Sequence, residues 1–193
     1  MDPPVDIPRP SPHLPAAAVR VPLLVIIGPP GVGKSSVGEQ LTRLLTDAGA
    51  GVAYVDRDDF GAGGLLHEDP LLDLNEMLHA RVAAGARQLV VAWRVESGHD
   101  VARIRASLEW ADITICRLRA APGELLARIA AGQPEFQSLH LQTMALEIAP
   151  RLELQAGEDI VLATDDAPPA AVAMHVMRRW AMRGAPLVDD AAA

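Results

Sequence analysis

Short apolar runs alternate with helical patterns along most of this chain. Leu23-Leu24-Val25-Ile26-Ile27 is an unbroken apolar run ending at Gly28 and Pro29, as a strand buried on both faces reads. Val37, Leu41, Leu44, Leu45 and Ala48 then recur at helical spacing, and Gly49-Ala50-Gly51 closes that helix. A second strand follows at 52–55, then a helix marked by Leu71, Leu74, Leu78 and Val82 that stops near Gly85. The spacing predicts a third strand at 89–93 and a helix on Val101, Ile104 and Leu108. A fourth strand is expected at 113–118, and the helix after it opens at Pro122, where a missing N–H costs nothing. Residues 137–154 read as a helix that Pro150 should kink or end. The last elements are a strand at 160–163 and a helix at 168–183, capped by Asp165 or Asp166. Five strands alternating with helices imply an α/β fold in three layers, a parallel sheet covered on both faces. Ligands on such sheets sit at the C-terminal strand ends.

The ends of the chain lack this periodicity. Seven of the 16 prolines fall within residues 1–22, so residues 1–21 are expected to form a disordered tail. Residues 184–193 are expected to form a second loose tail. Between them, 22–183 reads as one domain, with no linker or internal repeat.

Composition narrows the function. A net charge of −8 argues against broad nucleic-acid binding, and 3% aromatic residues leave little for a base-stacking platform. The histidines are scattered, without metal-ligand spacing. The single cysteine, Cys116, lies in an apolar strand and reads as buried and inert. No apolar run approaches the roughly 20 residues of a membrane span, and residues 1–21 do not have the layout of a signal peptide. The expectation is a soluble cytoplasmic protein.

One motif carries specific chemistry. Gly28-Pro29-Pro30-Gly31-Val32-Gly33-Lys34-Ser35 fits G-x-x-x-x-G-K-[ST] between a strand and a helix, with Ser36 following in the helix. Such a P-loop wraps phosphates with inward-pointing backbone N–H groups, and the helix N-terminus adds its dipole. Lys34 is expected to reach the β- and γ-phosphates, and the Ser35 hydroxyl to ligate Mg²⁺. Lys34 is the only lysine among 17 cationic side chains, which suggests a need for a compact ammonium there. A dinucleotide-binding loop fits worse, because Ser36 stands where its last small residue belongs and Lys34 would be unexplained. A signalling GTPase is excluded, since its Asn-Lys-x-Asp motif needs a second lysine.

Asp56-Arg57-Asp58-Asp59-Phe60 follows the second strand directly. In an extended chain, Asp56 and Asp58 would lean to the same side. One carboxylate would accept a proton from a substrate hydroxyl, and the other would orient Mg²⁺ through water. The plainer reading is a solvated acidic turn in which Asp59 caps a helix.

Taken together, the P-loop, Asp56-Arg57-Asp58, Arg117-Leu118-Arg119-Ala120 before Leu125-Leu126-Ala127-Arg128, and Ala163-Thr164-Asp165-Asp166 before the last helix resemble the small P-loop kinases. That group phosphorylates nucleotides, shikimate, gluconate, adenylyl sulfate or antibiotic hydroxyls. The resemblance spans about 21–180. It implies strand order 2-3-1-4-5 and ATP-dependent phosphoryl transfer to a small-molecule acceptor, with Mg²⁺.

The chain departs from that group in two places. Many P-loop proteins end the third strand with a metal-orienting Asp; here the strand is followed by Arg94, Val95 and Glu96, so Asp56 or Asp58 would take the role. The group also closes an arginine-bearing lid over the transferring phosphate. The corresponding stretch, 129–142, contains no arginine, leaving Arg128 at its entrance, or Arg151 beyond it, to stabilise charge. Arg103 and Arg105 could touch an anionic acceptor. Phe60 and Trp93 could flank its ring, although single aromatics there are ordinarily core. The catalytic candidates are therefore Lys34, Asp56, Asp58 and Arg128, with Ser35 and Asp56 for the metal. The alternative is a nucleotide-binding sensor or interaction module without transfer activity.

Overall fold

A computed structural model describes residues 20–60, 67–132, 134–154 and 157–185. The segment 1–19 and residues 186–193, which hold most of the two expected tails, lie outside the described residues.

The sheet forms around the continuous apolar run. Strand β1 (Val21–Ile27) begins two residues before that run and lies between β3 (Gln88–Ala92) and β4 (Ala111–Arg119). Val25 pairs with Val91 on one side and Ile115 on the other. Strand β2 (Val52–Asp56) forms one edge and β5 (Ile160–Ala163) the other, giving five parallel strands in the order β2-β3-β1-β4-β5.

Because side chains alternate across a strand, β1 feeds two cores at once. Leu23, Val25 and Ile27 pack with residues of α2 (Pro70–Ala83), α3 (Gly98–Ser107) and α5 (Glu135–Glu153). Leu24 and Ile26 pack with residues of α1 (Lys34–Asp47), α4 (Pro122–Gly132) and α6 (Pro169–Ala181). Each fully buried aliphatic side chain contributes roughly 1.5–3 kcal/mol, so this double burial fixes the central strand. The result is the three-layer αβα architecture expected from the sequence.

Local signals set most helix ends. Asp69 caps α2 by accepting from the Leu71 N–H at 3.0 Å, with Pro70 in the first turn. Ser97 and Asp100 form a capping box on α3.

Two expectations fail, the helix stop at Pro150 and the acidic cap of α6. Pro150 does not end its helix: α5 runs to Glu153, with the proline in its last turn and facing solvent, where a lost backbone bond is cheap. Neither Asp165 nor Asp166 caps α6, whose N-cap is Pro168. Asp165 instead accepts the Ala121 N–H at 2.6 Å, just before α4. Separately, α4 reaches Gly132 and α5 begins at Glu135, so most of the expected lid stretch is helix. At the other end, Ala185 is buried against the α1–α6 layer.

Candidate functional site

The phosphate loop joins the C-terminal end of β1 to α1. Helix α1 starts after Gly33 with no side-chain cap, so its first-turn amides stay open to an anion. Gly31 shows why the loop tolerates no side chain there. Its φ is +78°, and a Cβ would lie 2.8 Å from the Leu125 carbonyl oxygen and from Ile129 Cγ1. Helix α4 thus packs directly on the loop. Thr164, after β5, adds a tie by donating to the Val32 carbonyl at 3.3 Å.

Lys34 Nζ folds back to donate to the Gly28 and Pro29 carbonyls at 3.0 and 3.1 Å. Burial lowers its pKa to about 8, and the Arg94 charge adds to this, while Asp56 and Asp58 pull the other way. The ammonium therefore sits where a phosphate would relieve both penalties.

The cleft over the loop has a volume of about 380 Å³ and is lined by Gly31, Gly33, Lys34, Ser35, Ser36, Asp56, Arg57, Asp58, Arg94 and Arg128, among others. The sequence candidates Lys34, Ser35, Asp56, Asp58 and Arg128 are therefore brought to one cavity. Pro30 also lines it, whereas Pro29 faces a different crevice.

The acidic segment is not extended. A 3₁₀ turn, Arg57–Phe60, begins immediately after β2. Asp56 Oδ1 accepts the Asp58 N–H at 3.0 Å, and Asp59 Oδ2 accepts the Asp56 N–H at 3.1 Å. Asp59 thus closes the turn on itself rather than capping a helix. Asp56 Oδ2 also accepts from the Tyr54 hydroxyl at 2.6 Å. Asp56 is only 9% exposed and doubly held; Asp58 is exposed, and among the described residues its carboxylate has no hydrogen bond.

Arg128 is differently placed from a free charge stabiliser. Its Nε donates to Glu124 at 2.8 Å, and its other nitrogens donate to the Thr164 hydroxyl and to the carbonyls of Thr164 and Asp165. Arg151 pairs with Glu147 on the exposed face of α5. Arg105 binds Asp159 at 2.7 Å and lines none of the clefts described here.

A second cleft, of about 270 Å³, adjoins the first and shares Arg57 and Arg94 with it. Arg103 lines it, paired with Asp69 at 2.7 Å. Phe60 and Trp93 are buried and meet edge to face at 5.7 Å between centroids. Arg57 lies over both rings, at 5.9 and 5.5 Å. The aromatic pair is core that carries a cation. A larger crevice of about 540 Å³ lies between β4, α4 and α5. Its walls are mostly apolar, and Pro29 is its only P-loop residue, so phosphate chemistry has no place there.

Sequence reasoning missed Tyr54 and Arg94. Tyr54 had a readable signal, since it precedes Asp56 by two positions and so shares its face of the strand. Arg94 lies between apolar Trp93 and Val95 just past a strand end, which points it outward at the ligand-binding edge.

The group implied by this loop fits the residues present. Open helix amides, a lysine held among carbonyls and three arginines lining the cleft suit a polyphosphate. Among the described residues, no cluster of three or more acidic, His or Cys side chains could hold a metal alone. Ser35 with Asp56 or Asp58 could complete Mg²⁺ coordination that arrives with phosphates, as that ion commonly binds.

Fold and loop together define a P-loop protein with the architecture of the small kinases. A family model described as chromatin associated protein KTI12 matches residues 21–82, the stretch from β1 to most of α2. No curated protein matches in sequence. Among solved structures, the chain is similar to a sugar kinase from Janibacter sp. HTCC2649, at 17% identity and TM-score 0.60, covering 87% of this chain and 98% of that one. It is also similar to the tunicamycin resistance protein of Deinococcus radiodurans, at 21% identity and TM-score 0.59, covering 88% and 99%. A third is the Mycobacterium tuberculosis APS kinase, solved with AMPPNP and APS, at 20% identity and TM-score 0.57, covering 83% and 97%. Among the described residues, no helix is long and apolar enough to cross a membrane.

Proposed function

We propose that this protein is an ATP-dependent phosphotransferase acting on a small molecule. The observation that carries this reading is the adjacency of two clefts: a P-loop cavity holding Lys34 shares Arg57 and Arg94 with a second cavity that could take an acceptor. The loop amides, Lys34 and Ser35 would hold the triphosphate of ATP. Ser35 and Asp56 would hold Mg²⁺, which would supply neutralisation of the negative charge on the phosphates.

The two carboxylates divide the remaining work. Asp56 is fixed by Tyr54 and the Asp58 amide, which suits orientation of the metal through water. Asp58 is open and suits accepting a proton from the acceptor hydroxyl. The acceptor would lie in the second cleft, with Arg57 facing any anionic group it carries. Positioning and charge stabilisation supply most of the rate in such transfers.

A screen of ADP release from Mg·ATP, over sugars, nucleotides, phosphorylated metabolites and antibiotic-like alcohols, tests the proposal. One or more acceptors should raise turnover well above the rate with water alone. The arginine-free stretch 129–142 and the lack of an Asp at the end of β3 favour a second reading, a nucleotide sensor. Nucleotide binding with no acceptor raising turnover would select it.

A further inference from the structure

We propose that Arg94 is the arginine this chain sets against the transferring phosphoryl group, fixed on the central sheet instead of carried on a lid. The inference rests on the phosphotransfer reading and adds to it the residue that supplies the transition-state charge.

Phosphoryl transfer spreads negative charge over the equatorial oxygens of the moving group, and an arginine there accelerates the reaction strongly. A mobile source is not available in the usual place. Helices α4 and α5 are separated only by residues 133 and 134, and 129–142 contains no arginine. Arg128 lines the cleft but already makes four hydrogen bonds to its own helix and to the segment after β5. Arg57 lies over the aromatic pair.

Arg94 differs from these in each respect. It is exposed, and among the described residues it makes no hydrogen bond or ion pair. Its backbone is nevertheless well anchored. The preceding residue, Trp93, is 5% exposed and donates its N–H to the Ile26 carbonyl at 2.9 Å, extending the sheet. The following residue, Val95, is 1% exposed. Two buried neighbours thus fix the Cα, while Arg94 lines both clefts. Its charge already bears on Lys34, whose pKa it helps to lower. Arg94 and Lys34 repel each other across the cleft, and an anion between them would turn that repulsion into shared attraction. The resemblance leads one to expect an acidic metal-orienting residue at the end of this strand, and a cation stands beside that place instead.

The step balances as follows. The acceptor hydroxyl oxygen bonds to the γ-phosphorus as the bond from that phosphorus to the β–γ bridging oxygen breaks. The electron pair leaves with ADP, and the hydroxyl proton passes to Asp58. Arg94 donates hydrogen bonds to the equatorial oxygens throughout.

The test compares a ground-state and a transition-state mimic on the full chain by calorimetry. The probes are Mg·AMPPNP and Mg·ADP with aluminium fluoride, against wild type, Arg94→Ala and Arg94→Gln. Both variants should keep AMPPNP affinity within about threefold and lose roughly a hundredfold or more in the fluoroaluminate complex. Equal weakening of both complexes, or of neither, overturns the proposal. So does a wild-type protein that binds AMPPNP but gains nothing from aluminium fluoride. A wild type that binds neither probe overturns the phosphotransfer reading as well, so the two failures are distinct.

Discussion

Replacing Tyr54 with Phe removes one oxygen atom and tests how Asp56 is held. The hydroxyl donates to Asp56 Oδ2 at 2.6 Å, and the carboxylate is 9% exposed. A hydrogen bond to a charged group contributes about 1.5–3 kcal/mol. The Tyr54 ring is itself half-buried, so water can partly replace the lost donor, and the lower part of that range, about 1.5–2 kcal/mol, is expected. For a domain of this size, 1 kcal/mol shifts Tm by roughly 2–4 °C, so Tyr54→Phe should melt about 3–6 °C below wild type at pH 7. The pH dependence has a definite sign. Burial, followed by the bond to Asp56 and that group's charge, raises the Tyr54 pKa above its ordinary value of 10.0. A raised acid contributes stability that is complete below the unfolded value and is lost as pH climbs towards the folded one. The gap between wild type and variant should therefore stay constant from pH 7 to about 9 and narrow only in more alkaline solution. Thermal denaturation followed by circular dichroism measures both. A variant melting within 1 °C of wild type at pH 7, or a gap that closes below pH 9, would refute the reasoning.

Two further perturbations address the loop. Gly31→Ala combines an unfavourable left-handed backbone with a Cβ placed 2.8 Å from the Leu125 carbonyl. It should cost at least about 1–2 kcal/mol of stability from the backbone alone and abolish nucleotide affinity in calorimetry; a stable variant with wild-type affinity contradicts the loop geometry. The lowered Lys34 pKa of about 8 makes binding proton-linked. A phosphate partner raises that pKa, so Mg·AMPPNP binding at pH 8 should take up roughly half a proton. Calorimetry in buffers of different ionisation enthalpy reads this directly, and no buffer dependence at pH 8 would contradict it. Because the unfolded chain holds the Lys34 proton up to its ordinary value of 10.5, this residue should also make the nucleotide-free protein more stable as pH rises from about 8 to 10.5.

The sheet was legible in the sequence because its central strands are buried on both faces. The run Leu23-Leu24-Val25-Ile26-Ile27 leaves no solvent face to choose, and the glycines and lysine of the next eight residues have one efficient use. Strand order came from the resemblance rather than from any single run. What was not legible depends on neighbours distant in sequence. Asp165 carries the features of a helix cap, yet the Ala121 amide, 44 positions earlier, claims its carboxylate. Pro150 reads as a helix terminator, but the residue four positions before it, Leu146, lies on the exposed side, where water can reach the carbonyl that loses its donor, so the helix continued. Arg128 resembled a mobile cation until Thr164, 36 positions later, was seen to hold it. Arg94 was not legible for the opposite reason, since a single arginine past a strand end carries no motif, and its role depends on the cleft around it.

The account depends most on the ammonium of Lys34 gripping a polyphosphate. Titrating Mg·AMPPNP into wild type and Lys34→Ala at pH 7 by calorimetry tests this most directly. Losing a charged hydrogen-bonding group worth about 1.5–3 kcal/mol should weaken binding by roughly ten- to a hundredfold. Equal affinity in both proteins, or no binding by wild type, would contradict the account.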